Sequence, residues 1–210
     1  PERVRYISQN MPAIYELLPS RAYLDQEYYY YDHTQSDVFD YDRTKQFLTD
    51  FGLSPILLQS ADSFHSSALD NFNTTGLDAY NINGCDTPTI TTLIKKSNGE
   101  YGMWLYEGDG TVPLSSSKAV NIDSSKVYYF KGIEHATMPS ATGIKTLVNN
   151  IITGNMLSLP GNATQDSSVC KVAGDLVSVH SPINLHIYDS SGNHVGRGEN
   201  GEIDYDITGV

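Results

Sequence analysis

Several things are scarce in this chain, and each scarcity excludes something. No apolar run approaches the roughly 18 residues that a membrane-crossing helix needs. Basic residues are few: 13 Lys and Arg stand against 25 Asp and Glu, for a net charge of -12. That balance argues against nucleic acid as a partner, because phosphate binding needs a basic face. It also argues against adhesion to anionic lipid by charge alone. There are two cysteines, Cys85 and Cys170, in 210 residues. They make neither a disulfide framework nor a C-x-x-C metal or redox motif, and a single bridge between them is left open. The chain opens on proline with no apolar leader, so it is read as a piece of a longer protein.

What is present suggests an α/β chain followed by a small β module. Hydrophobic residues make up 39% of the sequence, enough for a packed core. The stretch NMPAIYELLPS at 10–20 places Pro12 in a first helical turn and Pro19 at its stop, with Asn10 able to cap. Between 21 and 42 the chain is acidic and rich in tyrosine, with neither helical nor strand periodicity, and reads as a long excursion. Thr44 can cap a short helix ending at Gly52. Ser54–Pro55 opens another, with Leu57, Ala61, Phe64, Ala68 and Phe72 at helical spacing. The runs 87–96, 103–106 and 127–131 are β-branched or aromatic and read as strands. The last helix is expected after Ser140, with Ile144, Leu147, Val148 and Ile151 on one face and Gly154 at its end.

Helix formers fade after Leu159. Residues 160–167 read as a polar linker, and 168–210 as a small antiparallel, β-sandwich-like module of short strands at 176–180, 184–188, 194–197 and 202–207.

The chemistry concentrates in two stretches. In LYEGDGTVP, 105–113, Asp109 sits between two glycines directly after a short strand. In VYYFKGIEHATMPS, 127–140, a strand runs out into Gly132 and His135 follows 26 positions after Asp109. Each alone is explicable as a turn residue. Together they place an acid and then a base after successive strands, where open α/β sheets build their sites.

NMPAIYELLPS, LYEGDGTVP and EHATMPS together resemble the C-terminal half of an α/β hydrolase of the lecithin:cholesterol acyltransferase-like lipases. The resemblance covers about residues 8–154. It implies the C-terminal part of an α/β-hydrolase sheet over 1–158 with a lid-like insertion at 21–75. It makes Asp109 the triad acid and His135 the triad base, and it implies a lipid or ester substrate and no cofactor. The nucleophile is missing. No G-x-S-x-G occurs; Ser60, Ser63, Ser66 and Ser67 lie in a helical pattern, and Ser115, Ser116 and Ser117 follow the acid. The expectation is therefore a chain inactive alone. It would be completed by the N-terminal half of the hydrolase or self-associated through an exposed sheet edge, in a protein secreted by or displayed on a bacterium. Alternatives are a thioesterase or polyester depolymerase, or a non-catalytic binding or cell-surface module.

His33 and His65, with Asp32, Asp37 and Asp62 nearby, match no recognised metal spacing and read as solvated surface residues. Alternation turns His186 to solvent. The stretch DSSGNHVGRGE at 189–199 lacks the calcium-loop order and reads as a hairpin turn.

Overall fold

A computed structural model of the chain describes residues 2–172, 185–198 and 202–207. These divide into two units, Pro1–Val172 and Ala173–Val210.

The first unit begins with helices. α1 (Glu2–Asn10) buries none of its residues. α2 (Pro12–Glu16) carries proline in its first turn, as expected, but Met11 rather than Asn10 precedes it. The tyrosine-rich stretch is not an unstructured excursion. After α3 (Arg21–Leu24), β1 (Tyr30–Asp32) and β2 (Asp37–Val38) form an antiparallel pair. Tyr30 and Asp32 are buried, and Tyr30 packs its ring on Phe39 and Phe47. Periodicity could not reveal a strand of three residues. Its stability comes from the aromatic cluster and from parallel pairing with a strand far along the chain.

α4 (Tyr41–Asp50) starts one turn earlier than expected, because Asp40 and not Thr44 is its cap: the Asp40 carboxylate accepts from the Arg43 amide. α5 (Pro55–Phe64) is capped by Ser54 as read from the sequence, and continues as a π-helical turn over His65–Leu69. Tyr15, Leu58 and Ala61, flanked by Leu18, Leu48 and Leu57, give these helices a core of their own.

Two sheets follow. β3 (Asn81–Cys85) leads through Asp86 into β4 (Thr87–Lys95) and β5 (Tyr101–Gly108), a long hairpin. Asp86 adopts a positive φ of 65°, which aspartate tolerates, and its carboxylate meets Lys131 at 3.2 Å. That left-handed residue turns the chain out of one sheet and into the other. β4 then pairs in parallel with β1, giving a four-stranded mixed sheet ordered β2-β1-β4-β5. A short helix α6 (Leu114–Ser117) follows, and the chain rejoins β3 as β6 (Val127–Lys131), parallel to it. α7 (Thr142–Thr153) lays Ile144 and Leu147 on Tyr128 and Phe130 of β6. Its C-terminus is Gly154 at φ 68°, the left-handed cap expected. Ser140 does not cap it; its hydroxyl donates to the Thr137 carbonyl instead.

Residues 160–167 are not a free linker. β7 (Ala163–Thr164) adds to β6, completing a three-stranded sheet ordered β3-β6-β7. Just beyond, Cys170 bonds to Cys85 with a Cα–Cα distance of 5.2 Å. Both cysteines are fully buried in a cluster with Leu114 and Tyr129. The bridge closes a long loop, worth about 4 kcal/mol in chain-entropy terms.

In the second unit, β8 (His186–Tyr188), β9 (His194–Arg197) and β10 (Ile203–Tyr205) form an antiparallel meander. These strands agree with three of the four short runs read from the sequence; the run at 176–180 lies outside the described residues. Among the described residues this unit is one sheet and not a sandwich. The molecule thus has α/β content with mixed and antiparallel sheets plus a small antiparallel sheet. No described helix is long and apolar enough to cross a membrane.

Candidate functional site

The acid and the base come together. His135 Nδ1 lies 2.9 Å from Asp109 Oδ2, and the His135 amide donates to the Asp109 carbonyl at 2.8 Å. The route by which they meet differs from a simple succession of strands. Asp109 does follow a strand, β5, but β5 belongs to the other sheet. The β4–β5 hairpin leaves the carboxyl end of β3 at Asp86 and returns to the same place. A Cβ on Gly84 would fall 2.8 Å from the Asp109 Cβ and 2.7 Å from the Ile133 carbonyl oxygen, which locates the acid loop against the end of β3. His135 follows the carboxyl end of the neighbouring parallel strand β6. The two residues therefore stand at the carboxyl ends of adjacent parallel strands.

The acid loop fixes its own carboxylate. Asp109 Oδ1 accepts from the amides of Thr111 at 3.0 Å and Val112 at 2.7 Å. Gly110 takes a φ of 86°, the left-handed conformation that lets the chain double back so tightly. The Asp109 side chain is 7% exposed, whereas that of His135 is 51% exposed. With Oδ1 committed to the backbone, Oδ2 is the oxygen left for the imidazole. The proton of a neutral ring then resides on Nδ1, which leaves a lone pair on Nε2 (the hydrogen positions follow from this network). Among the described residues Nε2 has no hydrogen-bond partner. The arrangement can accept a proton at Nε2 and hold the resulting imidazolium against a fixed anion.

Among the described residues no serine hydrogen-bonds His135. Ser63, Ser66, Ser67 and Ser117 each donate to a carbonyl of their own helix or helical turn. Ser115 and Ser116 lie in α6 and Ser60 in α5.

The other histidines fall out differently from expectation. His65 is not solvated; it is buried, with Nε2 2.7 Å from the Glu16 carbonyl oxygen. Its neighbour Asp62 bonds the Tyr41 hydroxyl and the Lys45 ammonium, and burial raises the carboxyl pKa of Asp62 while lowering that of Lys45. Asp32 is likewise buried. Oδ1 takes the Thr34 hydroxyl and amide, and Oδ2 lies 3.4 Å from Lys95. The Thr34 hydroxyl does most to hold its pKa below the ordinary carboxylate value. Asp37 pairs with Arg43, and His33 stays exposed with its ring edge on Tyr31. Among the described residues no group of three His, Cys, Asp or Glu could hold a metal ion.

Sequence reading missed a second histidine cluster. His186 is exposed as expected, but its Nδ1 meets His194 Nε2 at 2.9 Å, and His194 Nδ1 meets Asp204 Oδ2 at 3.0 Å. The ring planes of the two histidines differ by 8° and their centroids are 5.1 Å apart. The nitrogens therefore lie on facing edges, at hydrogen-bond distance. The signal for this cluster was only the same-face alternation of three short strands, too common to single out. The reading of 189–199 as a turn agrees with Asp189, whose carboxylate accepts from the Ser191 and Asn193 amides.

Comparison with protein-family models finds no match to this chain, and no curated protein matches it either.

Proposed function

We propose that Asp109 and His135 are the acid and base of a serine-type acyl-transfer site, whose nucleophile comes from outside these 210 residues. The observation that carries this reading is the state of His135. Its Nδ1 is engaged by a buried, backbone-held carboxylate while its Nε2, on a half-exposed ring, has no partner among the described residues. A serine hydroxyl is a poor nucleophile until such a nitrogen takes its proton. Asp109 holds the tautomer that makes Nε2 the basic atom.

The resemblance to lecithin:cholesterol acyltransferase-like lipases makes the substrate a lipid-like ester and the reaction hydrolysis or acyl transfer. A thioesterase or polyester depolymerase would use the same two residues. The position of β3 supports docking of a nucleophile-bearing half. Among the described residues β3 is an edge strand of its sheet, and the buried Asn83 Oδ1 on it has no hydrogen-bond partner. On this reading an adjoining strand of the same protein, or a second copy, covers that edge. The segment 21–75 on this reading serves as the lid around the sheet-held β1, with the exposed Tyr28 offering one apolar and one polar end to an ester–water boundary. The Cys85–Cys170 bridge supports an oxidising location, outside or on the surface of a bacterium.

The test is labelling by a fluorophosphonate of the protein as its own cells produce it. The expected label sits on a serine outside residues 1–210, and His135→Ala abolishes it. Label on a serine within the chain, or labelling that survives His135→Ala, overturns the proposal. No labelling at all favours the binding or cell-surface module.

A further inference from the structure

The acid loop carries four consecutive amides, those of residues 109–112, two of which bond the Asp109 carboxylate. Three are satisfied within the loop: Asp109 N–H by the Val112 carbonyl, and Thr111 and Val112 N–H by Asp109 Oδ1. The fourth, Gly110 N–H, crosses to another strand and donates to Thr89 Oγ1 at 2.8 Å. The same hydroxyl donates to the Thr87 carbonyl at 2.9 Å. Thr89 is 1% exposed, so its hydroxyl relies on these two protein partners and not on water. The strand opposite is cut to fit it. A Cβ on Gly108 would collide with Thr89 Oγ1 and with the Val112 carbonyl oxygen, so only glycine lets the hydroxyl lie under the loop.

We propose that Thr89 is a positioning residue for the acid of the site, acting through Gly110 on the orientation of Asp109. This rests on the reading of Asp109 and His135 as acid and base. The physical reason is competition for acceptors. Without the Thr89 hydroxyl, the Gly110 N–H loses the bond that ties the acid loop to β4 and turns to another acceptor. The strongest acceptor in the loop is the Asp109 carboxylate, through charge assistance. Any share of it that Gly110 takes is drawn from the geometry that presents Oδ2 to His135 Nδ1. A purely structural threonine, packed for its methyl group, would lower stability when changed and leave the imidazole as it was.

The experiment reads the imidazole directly, in the ¹⁵N-labelled 210-residue chain, and needs no nucleophile or substrate. Ring-nitrogen shifts of neutral His135 report which nitrogen carries the proton. In the unmodified chain the Nδ1–H form dominates, and Asp109→Ala moves the proton to Nε2. Thr89→Val removes the hydroxyl at nearly constant volume. It lowers the ratio of Nδ1–H to Nε2–H by about tenfold, the factor that one hydrogen bond of ordinary strength carries. Thr89→Ser keeps the hydroxyl and holds the ratio. Thr89→Ala serves in place of the valine variant should that not fold. The His194 ring, in the other unit, stays unchanged throughout.

A Thr89→Val ratio equal to that of the unmodified chain overturns the role of Thr89. So does a Thr89→Ser ratio that falls as far as the valine variant's. If Asp109→Ala itself leaves the His135 proton on Nδ1, the acid–base reading fails instead, and the two failures are told apart by that one variant.

Discussion

The molecule contains two histidine–aspartate pairs, one in each unit, with nearly the same separation: 2.9 Å for His135–Asp109 and 3.0 Å for His194–Asp204. Both use Nδ1 and Oδ2. Everything around those atoms differs. The Asp109 side chain is 7% exposed and takes two backbone amides, whereas that of Asp204 is 37% exposed. The His135 ring is open to solvent with Nε2 free; the His194 ring is covered by Tyr188, and His186 engages its Nε2. The first pair holds an anion still and leaves a base available. The second consumes its base in a further hydrogen bond. A short His–Asp distance is therefore not a site in itself. The state of the remote nitrogen and the fixity of the carboxylate distinguish the pair proposed to work as acid and base from the other.

Several experiments would break or sharpen that contrast. On the proposed acyl-transfer reading, the largest effect is expected on turnover in the protein that would carry the nucleophile. His135→Ala should cost on the order of 10⁶ in kcat, as loss of a triad base does elsewhere. Asp109→Asn should cost about 10⁴. His194→Ala should leave kcat within about twofold, the change expected when nothing at the site moves. A fall of comparable size at His194 would erase the distinction between the pairs.

The next effect concerns what holds the acid loop's surroundings. Reducing the bridge, or replacing both cysteines by serine, should destabilise the first unit by about 4 kcal/mol, read as a lower denaturant midpoint. The second unit has no cysteine, so its own transition should stay in place. A matching shift in the second unit would argue that the two do not unfold separately.

His186→Ala should change stability by no more than about 0.5 kcal/mol, because the residue is exposed on a short strand. It should nevertheless free Nε2 of His194, making that ring resemble His135 in its nitrogen shifts. An unchanged His194 spectrum would mean that the His186–His194 hydrogen bond contributes nothing to the difference between the pairs.

The smallest effect is a change in shape. Asp32 repeats part of the Asp109 design, with Oδ1 on a local amide and hydroxyl and Oδ2 toward Lys95. Its pKa is lowered, first by the Thr34 hydroxyl. A lowered pKa means that its contribution is present above the ordinary carboxylate value and lost as pH falls through the lowered one. Asp32→Asn should therefore reduce stability at neutral pH and flatten the acid limb of the stability curve. An acid limb as steep as before would show that Asp32 is not one of the groups that produce it.

Much of this was legible in the residues, and the reasons are local. Ser54–Pro55, Gly154 and the apolar face of α7 announce helices because caps and the 3.6-residue period act between near neighbours. The Gly-Asp-Gly turn and the histidine after β6 identify the candidate acid and base for the same reason. What stayed hidden depends on residues far apart in sequence. Tyr30 becomes a strand only because β4 lies beside it, and Cys85 finds Cys170 only because β7 folds back onto β6. Thr89 is one β-branched residue among many until Gly108 makes room for it and Gly110 reaches across.

The sequence by itself determined that an aspartate and a histidine would each stand in a tight loop after a strand, since turn chemistry and capping need only adjacent residues. The tertiary structure alone decided that they meet. It carries β4 and β5 out from the end of β3 and back again, a path set by hydrogen bonds between strands and not by any local preference. It also decided that His135 keeps a free nitrogen while His194 does not, because that depends on which side chain the neighbouring strand delivers.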